Sequence, residues 1–158
     1  MRSVALLIPI VLAILLAGAL EFASAKTFAT KLYIAQLAVK STNNETTAIA
    51  STNQQLNISG IISGLTTHNR YAGISYIAIC EIRDADGVTI YLEIQSGTLD
   101  ENEQAAIDFL WQPRIAGNYE IRTIGISDFD NPELLTHLDV LQTNVADWGG
   151  ILDPLPKA

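Results

Sequence analysis

Cysteine is almost absent from this chain, and Cys80 is the only one. A single thiol excludes any disulfide within the chain, so an exported domain has to be held together by its core. Histidine is nearly as scarce: His68 and His137 are the only two, and the sole methionine is Met1. A copper or zinc centre needs two or three converging nitrogen or sulfur ligands. No pair among His68, His137 and Cys80 has metal-site spacing, so the plain reading is two surface histidines and a buried structural thiol. A blue-copper pattern fails as well, because no histidine follows closely on Cys80.

Positive charge is also in short supply. Nine Lys and Arg stand against 17 Asp and Glu, a net charge of −8. Without a Lys/Arg cluster there is no footprint for nucleic acid. The acidic balance fits solubility outside a cell better than docking to an anionic membrane. Charged residues make up only 16%, and Thr, Ser, Asn and Gln fill the polar positions. The chain has no internal repeat, no 3.6-residue period after its first 25 positions, no GxSxG motif and no phosphate-cradling glycine loop. Nothing picks out a carboxylate pair for glycoside hydrolysis. The expectation is a protein that is not an enzyme.

What is present begins with a targeting segment. Arg2 gives a short positive start, Val4 to Leu20 is apolar apart from Pro9 and Gly18, and Ala23-Ser24-Ala25 puts small residues where a signal peptidase reads. The reading is a signal peptide over 1–25, cleaved after Ala25. The competing reading is a retained anchor, since the run just reaches the lower limit for a span. Residues 26–146 then form one β-domain, long enough to bury its own core, and 147–158 form an irregular tail rich in Pro and Gly.

Seven strands are expected, at Lys31–Val39, Gln54–Ile62, Tyr71–Arg83, Val88–Ile94, Ile107–Trp111, Tyr119–Thr123 and Leu134–Val145. Ser41 to Asn53 and Ser127 to Glu133 read as loops. Leu56, Ile58, Gly60 and Ile62 alternate with polar residues, as Val88, Ile90, Leu92 and Ile94 do, the period of a strand with one buried face. Ile74 to Cys80 is apolar on both parities, as in a central strand. Asp84-Ala85-Asp86-Gly87 closes a tight hairpin. The segment Ile107 to Thr123 reads as two antiparallel strands turned by Pro113 and Gly117, with Trp111 and Tyr119 as the large inward side chains. Trp111, Tyr119, Phe109, Ile121 and Cys80 form the expected core. Strand count and turn spacing give an all-β, seven-stranded, immunoglobulin-like (Greek-key) β-sandwich.

Three oxygen-rich clusters could hold calcium: Asp84 with Asp86, then Asp100 with Glu101 and Glu103, and above all Asp128, Asp130 and Asn131. The alternative for each is turn chemistry, which Asp and Asn favour. Asn44 and Asn57 each open an N-glycosylation tripeptide, one in a polar loop and one on the outward parity of its strand.

Taken in order, DADGVTIYL at Asp84–Leu92, SGTL at Ser96–Leu99, WQP at Trp111–Pro113, AGNY at Ala116–Tyr119 and NPELLT at Asn131–Thr136 form a familiar series. The series resembles an immunoglobulin-like domain of secreted and surface proteins of ammonia-oxidising archaea, over about the last two-thirds of the mature chain. The resemblance implies an extracellular β-sandwich of the cell envelope, and it brings no catalytic residues with it.

The functional expectation is a module of the cell surface acting in adhesion or envelope structure. Its partners would be other envelope proteins or glycans, and it would meet a membrane only through an uncleaved N-terminal segment. A second expectation is a subunit of an extracellular filament or complex, with Lys26–Val39 adding a strand to a neighbour's sheet. A third is a small extracellular metal-binding or enzyme-accessory domain.

Overall fold

The computed structural model describes residues 31–64 and 71–147. The expected signal segment, His68 and the tail from 148 lie outside the described residues. No helix of the described residues is long and apolar enough to cross a membrane. The described chain is all β, with eight strands: β1 (Leu32–Lys40), β2 (Ile49–Ser51), β3 (Leu56–Gly64), β4 (Ser75–Arg83), β5 (Thr89–Thr98), β6 (Gln104–Trp111), β7 (Gly117–Ile126) and β8 (Asp139–Ala146). They form two packed sheets, one ordered β1-β3-β6 and the other β2-β8-β7-β4-β5. This is an immunoglobulin-like β-sandwich.

Alternation builds the core between the sheets. Leu56, Ile58 and Ile62 of β3 are fully buried, as are Ile107 and Phe109 of β6, and they face Ala78, Cys80 and Ile82 of β4 and Ile121 of β7. In β1 the inward parity switches at a bulge between Ala35 and Ala38, where Gln36 sits at φ 55°. Leu32 and Ile34 point inward before the bulge and Val39 after it. A bulge re-aims side chains in this way.

Four expectations from the sequence need correction. The segment Ile107 to Thr123 is not a hairpin: β6 pairs with β3, whereas β7 pairs with β4 and β8 in the other sheet. The Pro113–Gly117 corner therefore carries the chain across the sandwich. Antiparallel direction and two inward faces look alike in sequence whether the strands share a sheet or oppose each other. The Thr- and Asn-rich stretch read as loop holds an eighth strand, β2, which pairs in parallel with β8 over three residues. So short a strand leaves no period to detect. The last strand begins at Asp139 instead of Leu134, because Leu134 to Leu138 belongs to a strap.

The fourth correction concerns β5. Its inward side chains are Tyr91, Glu93 and Gln95, and its apolar set faces out: Val88 just before it is 57% exposed, and Ile90, Leu92 and Ile94 are 46, 37 and 42% exposed. The reason lies across the sandwich. At this border the inward side of β5 meets the open backbone edge of β6 and not apolar side chains. Gln95 accepts from the Asp108 N–H at 2.9 Å and donates to the Ala106 carbonyl at 3.3 Å, and Tyr91 donates to the Leu110 carbonyl at 2.8 Å. Those backbone groups need partners, so polar side chains take the inward places.

A second, smaller apolar layer lies on the outside of the five-stranded sheet. Ile79, Ile124 and Ile126 are buried there beneath Phe129 and Leu138. The strap over them, between β7 and β8, is pinned through Thr136, which is fully buried. Its Oγ1 accepts from the Gly125 N–H at 2.8 Å and donates to the His137 carbonyl at 2.8 Å.

Candidate functional site

The corner that crosses the sandwich also shapes a concavity among the described residues. Pro113 to Gly117 stands beside the Asp84–Gly87 turn, and a groove of about 520 Å3 runs between them. Trp111 and Tyr119 form its floor, edge to face at 73° with ring centroids 5.1 Å apart. Edge-to-face packing is a favoured aromatic geometry. The Tyr119 hydroxyl donates to the Ile115 carbonyl at 2.7 Å, which ties the corner to β7. Such a bond is the tyrosine corner of immunoglobulin-like folds. Burial raises the Tyr119 pKa, and the Asp84 charge adds to the rise. Ile115, 73% exposed, and Ile90 form the apolar rim. Exposed Arg114 and Asp86, with half-buried Asp84, are its charges. On the opposite wall, the Asp84 Oδ1 accepts from the Asp86 and Val88 N–H groups at 3.0 and 2.9 Å, which fixes the turn.

The residues singled out in the sequence do not converge. Trp111, Tyr119, Phe109, Ile121 and Cys80 share the main core. Only the first two reach the groove. Trp111 is 4% exposed, so it offers no open face for a sugar ring to stack on. Cys80 is fully buried, and burial, reinforced by the Glu93 and Glu81 charges, pushes its thiol up to about 12. His137 is exposed at the end of the strap, whereas Cys80 lies in the main core. Among the described residues no group of three or more His, Cys, Asp or Glu side chains is placed to hold a metal ion.

In each calcium-candidate cluster at least one carboxylate accepts from backbone N–H groups. Asp128 Oδ1 accepts from the Asn131 N–H at 2.6 Å, and Asp130 is exposed beside it. Asp100 Oδ1 accepts from the Asn102 and Gln104 N–H groups, at 2.8 and 2.9 Å. Glu103 is buried and accepts from the Tyr71 N–H at 3.1 Å. A Cβ on Gly64 would lie 2.5 Å from its Oε2, so only glycine fits opposite. The bonds of Asp84, Asp100 and Asp128 are the side chain-to-backbone bonds of turns. Of the two glycosylation candidates, Asn44 is exposed in a turn at φ 61°. Asn57 is not the open acceptor that its parity suggested. It is half-buried, and its amide donates to Asp108 Oδ1 at 3.0 Å on the neighbouring strand.

No protein-family model matches the chain, and no curated protein matches it. Solved structures do. The CARDB domain of a Pyrococcus furiosus protein, crystallised in complex with di-metal ions, is 16% identical, over 78% of this chain and 95% of that one, with a TM-score of 0.50. The C-terminal domain of wzt is 12% identical over 75% of each chain, at a TM-score of 0.55. A Bacteroides uniformis β-glucuronidase is 12% identical over 72% of this chain but only 14% of the enzyme, at 0.56. What is shared is the fold.

Two features escaped the sequence reading. One is a buried charge centre on the outer sheet face. Glu81 is fully buried, with Arg83 Nε 3.0 Å from its Oε1, Arg122 Nη1 3.3 Å from its Oε2, and the Thr89 hydroxyl donating to Oε1. Removing one partner of such a set would strand a buried charge. The only signal available was the charged pair at Glu81 and Arg83 inside an apolar strand. The other is the outward apolar face of β5, whose alternation was visible but whose direction was not.

Proposed function

We propose that this chain is a non-catalytic immunoglobulin-like module of the cell surface or envelope, working by contact with other envelope proteins. The groove at the tyrosine corner is the observation that carries the reading. It is an open concavity on a rigid aromatic floor, flanked by two turns that the sandwich holds in place, the usual location of binding residues on such scaffolds. Its apolar rim at Ile115 and Ile90, with Arg114 beside it, suits an apolar side chain flanked by a carboxylate on the partner. Burial of Trp111 favours a protein contact over sugar stacking. The apolar run before Ala25 and the motif resemblance to archaeal surface proteins support export.

Two measurements test this. N-terminal sequencing of the native protein should begin at Lys26, in the envelope or secreted fraction. A chain starting at Met1 inside the cell would sink the placement. Saturable binding of the purified protein to native envelopes should be lost in Ile115→Asp with the melting temperature unchanged. Undiminished binding by that variant would remove the groove from the account.

A further inference from the structure

Asn44-Glu45-Thr46 and Asn57-Ile58-Ser59 are both acceptor tripeptides, and neither takes part in the function proposed above. An N-linked glycan needs two groups together. One is the asparagine amide nitrogen that will carry the sugar. The other is the hydroxyl two residues on, by which the transferase reads the site. The fold treats the two tripeptides in opposite ways.

Asn57-Ile58-Ser59 lies inside β3, which is paired with β1 on one side and β6 on the other. The Asn57 amide nitrogen already donates to Asp108 Oδ1 at 3.0 Å. Ser59 is buried, and its hydroxyl oxygen is sealed from solvent. A transferase could reach this pair of groups only by pulling β3 out of its sheet.

Asn44-Glu45-Thr46 lies on the connection between β1 and β2, where backbone alone closes the turn. The Asn44 N–H donates to the Ser41 carbonyl at 2.8 Å, and the Ser41 N–H donates to the Glu45 carbonyl at 2.9 Å. Asn44 takes φ 61°, which asparagine tolerates better than most residues. Asn44, Glu45 and Thr46 are all exposed. Among the described residues nothing accepts from the Asn44 amide, and nothing bonds the Thr46 hydroxyl. Beside the turn is a shallow concavity of about 270 Å3, to which Asn44, Gln55 and exposed Leu110 contribute. It leaves room for the first sugar against the protein surface.

We infer that Asn44 carries an N-linked glycan and that Asn57 stays bare. The donor class is a sugar or oligosaccharide held on a polyprenol phosphate. In the transfer, Asn44 Nδ2 bonds to C1 of the first sugar, and the bond from C1 to the phosphate oxygen breaks. The lipid phosphate leaves with that electron pair, and the amide gives up one proton to the transferase. The inference rests on export as proposed above, because this modification belongs to exported chains.

The test takes the full chain from native envelopes or medium and digests it with trypsin. Cleavage after Lys40 and Arg70 leaves both tripeptides in one peptide, residues 41–70. Electron-transfer fragmentation then assigns a sugar to one asparagine or the other. The N-terminal peptide of the same digest reports export. Asn44 should bear a hexose- or N-acetylhexosamine-containing glycan, and Asn57 none. Thr46→Val, made in the native host, keeps the asparagine but removes the hydroxyl and should lose the glycan, whereas Thr46→Ser should keep it. A chain that starts at Lys26 with bare Asn44 overturns the glycan and leaves export standing. A chain that starts at Met1 with bare Asn44 overturns both. One that starts at Met1 and bears the glycan upholds the modification and removes only the cleavage. Sugar on Asn57, or a Thr46→Val chain that keeps its glycan, would also overturn the inference.

Discussion

At the scale of single residues, Trp111 and Tyr119 carry the corner on which the groove depends. Truncating a buried aromatic costs about 3–5 kcal/mol, through lost transfer energy and the cavity left behind. A domain of this size has roughly 5–15 kcal/mol in all. Trp111→Ala should therefore bring the protein close to unfolding, and Tyr119→Phe should cost about 1 kcal/mol, for the bond to the Ile115 carbonyl. Thermal melts of the two variants check both, and an unshifted Trp111→Ala melt would contradict the core position of the ring. This pair was legible in the sequence because large aromatics on one parity, beside a Pro/Gly corner, have few places to go. Glu81 was not legible. A carboxylate inside an apolar strand becomes a buried charge centre only when Arg122 arrives from another strand 41 positions later.

At the scale of elements, the strand positions were readable and their assignment to sheets was not. Period-two alternation fixes which side chains share a face, but it does not say which sheet receives the strand or which face meets the core. The corner therefore read as a hairpin, and the apolar set of β5 looked like a buried face. The strap between β7 and β8 shows the same limit, since Leu134 to Leu138 resembles a strand until the fold turns Leu135 into the main core and lays Leu138 over the outer face. Thr136 holds that strap, and Thr136→Val would leave the Gly125 N–H buried without its acceptor. Such a loss costs about 1–3 kcal/mol. Hydrogen exchange should quicken at Gly125, across the outer ends of β4 and β7 and at the Leu32 N–H, which donates to the strap's Leu135 carbonyl, while β3 and β6 keep their protection. Uniform quickening through both sheets would mean that the strap is not a separate unit.

For the whole molecule, the tyrosines set a direction for stability at alkaline pH. Tyr76, Tyr91 and Tyr119 all have pKa values raised by burial, and Tyr91 is raised further by Glu93. Unfolding returns each phenol to an ordinary value near 10. Above that pH the folded chain holds more protons than the unfolded one, so stability falls as pH rises. Melting temperatures should hold near about pH 8 and drop past about pH 10, and Tyr91→Phe should flatten the decline. A flat profile in the parent protein would refute the linkage. Asp139 acts in the same sense at the acid end. Burial raises its pKa against the opposing pull of His137, so its contribution diminishes as pH climbs from 3.8 toward the folded value.

The amide of Gln95 has a consequence for assembly that concerns valence. By occupying the place of a missing strand, it covers the Asp108 N–H and the Ala106 carbonyl on the β6 border of the three-stranded sheet. The β1 border is interrupted by its bulge and met at its ends by Leu135 and Thr47. The β2 border is only three residues long. Among the described residues, one long border is left with free bonding capacity. A strand added to this fold would meet its longest stretch of outward backbone there, from Leu92 to Ser96, on the side of the Ile90 bulge away from the Asp84 turn.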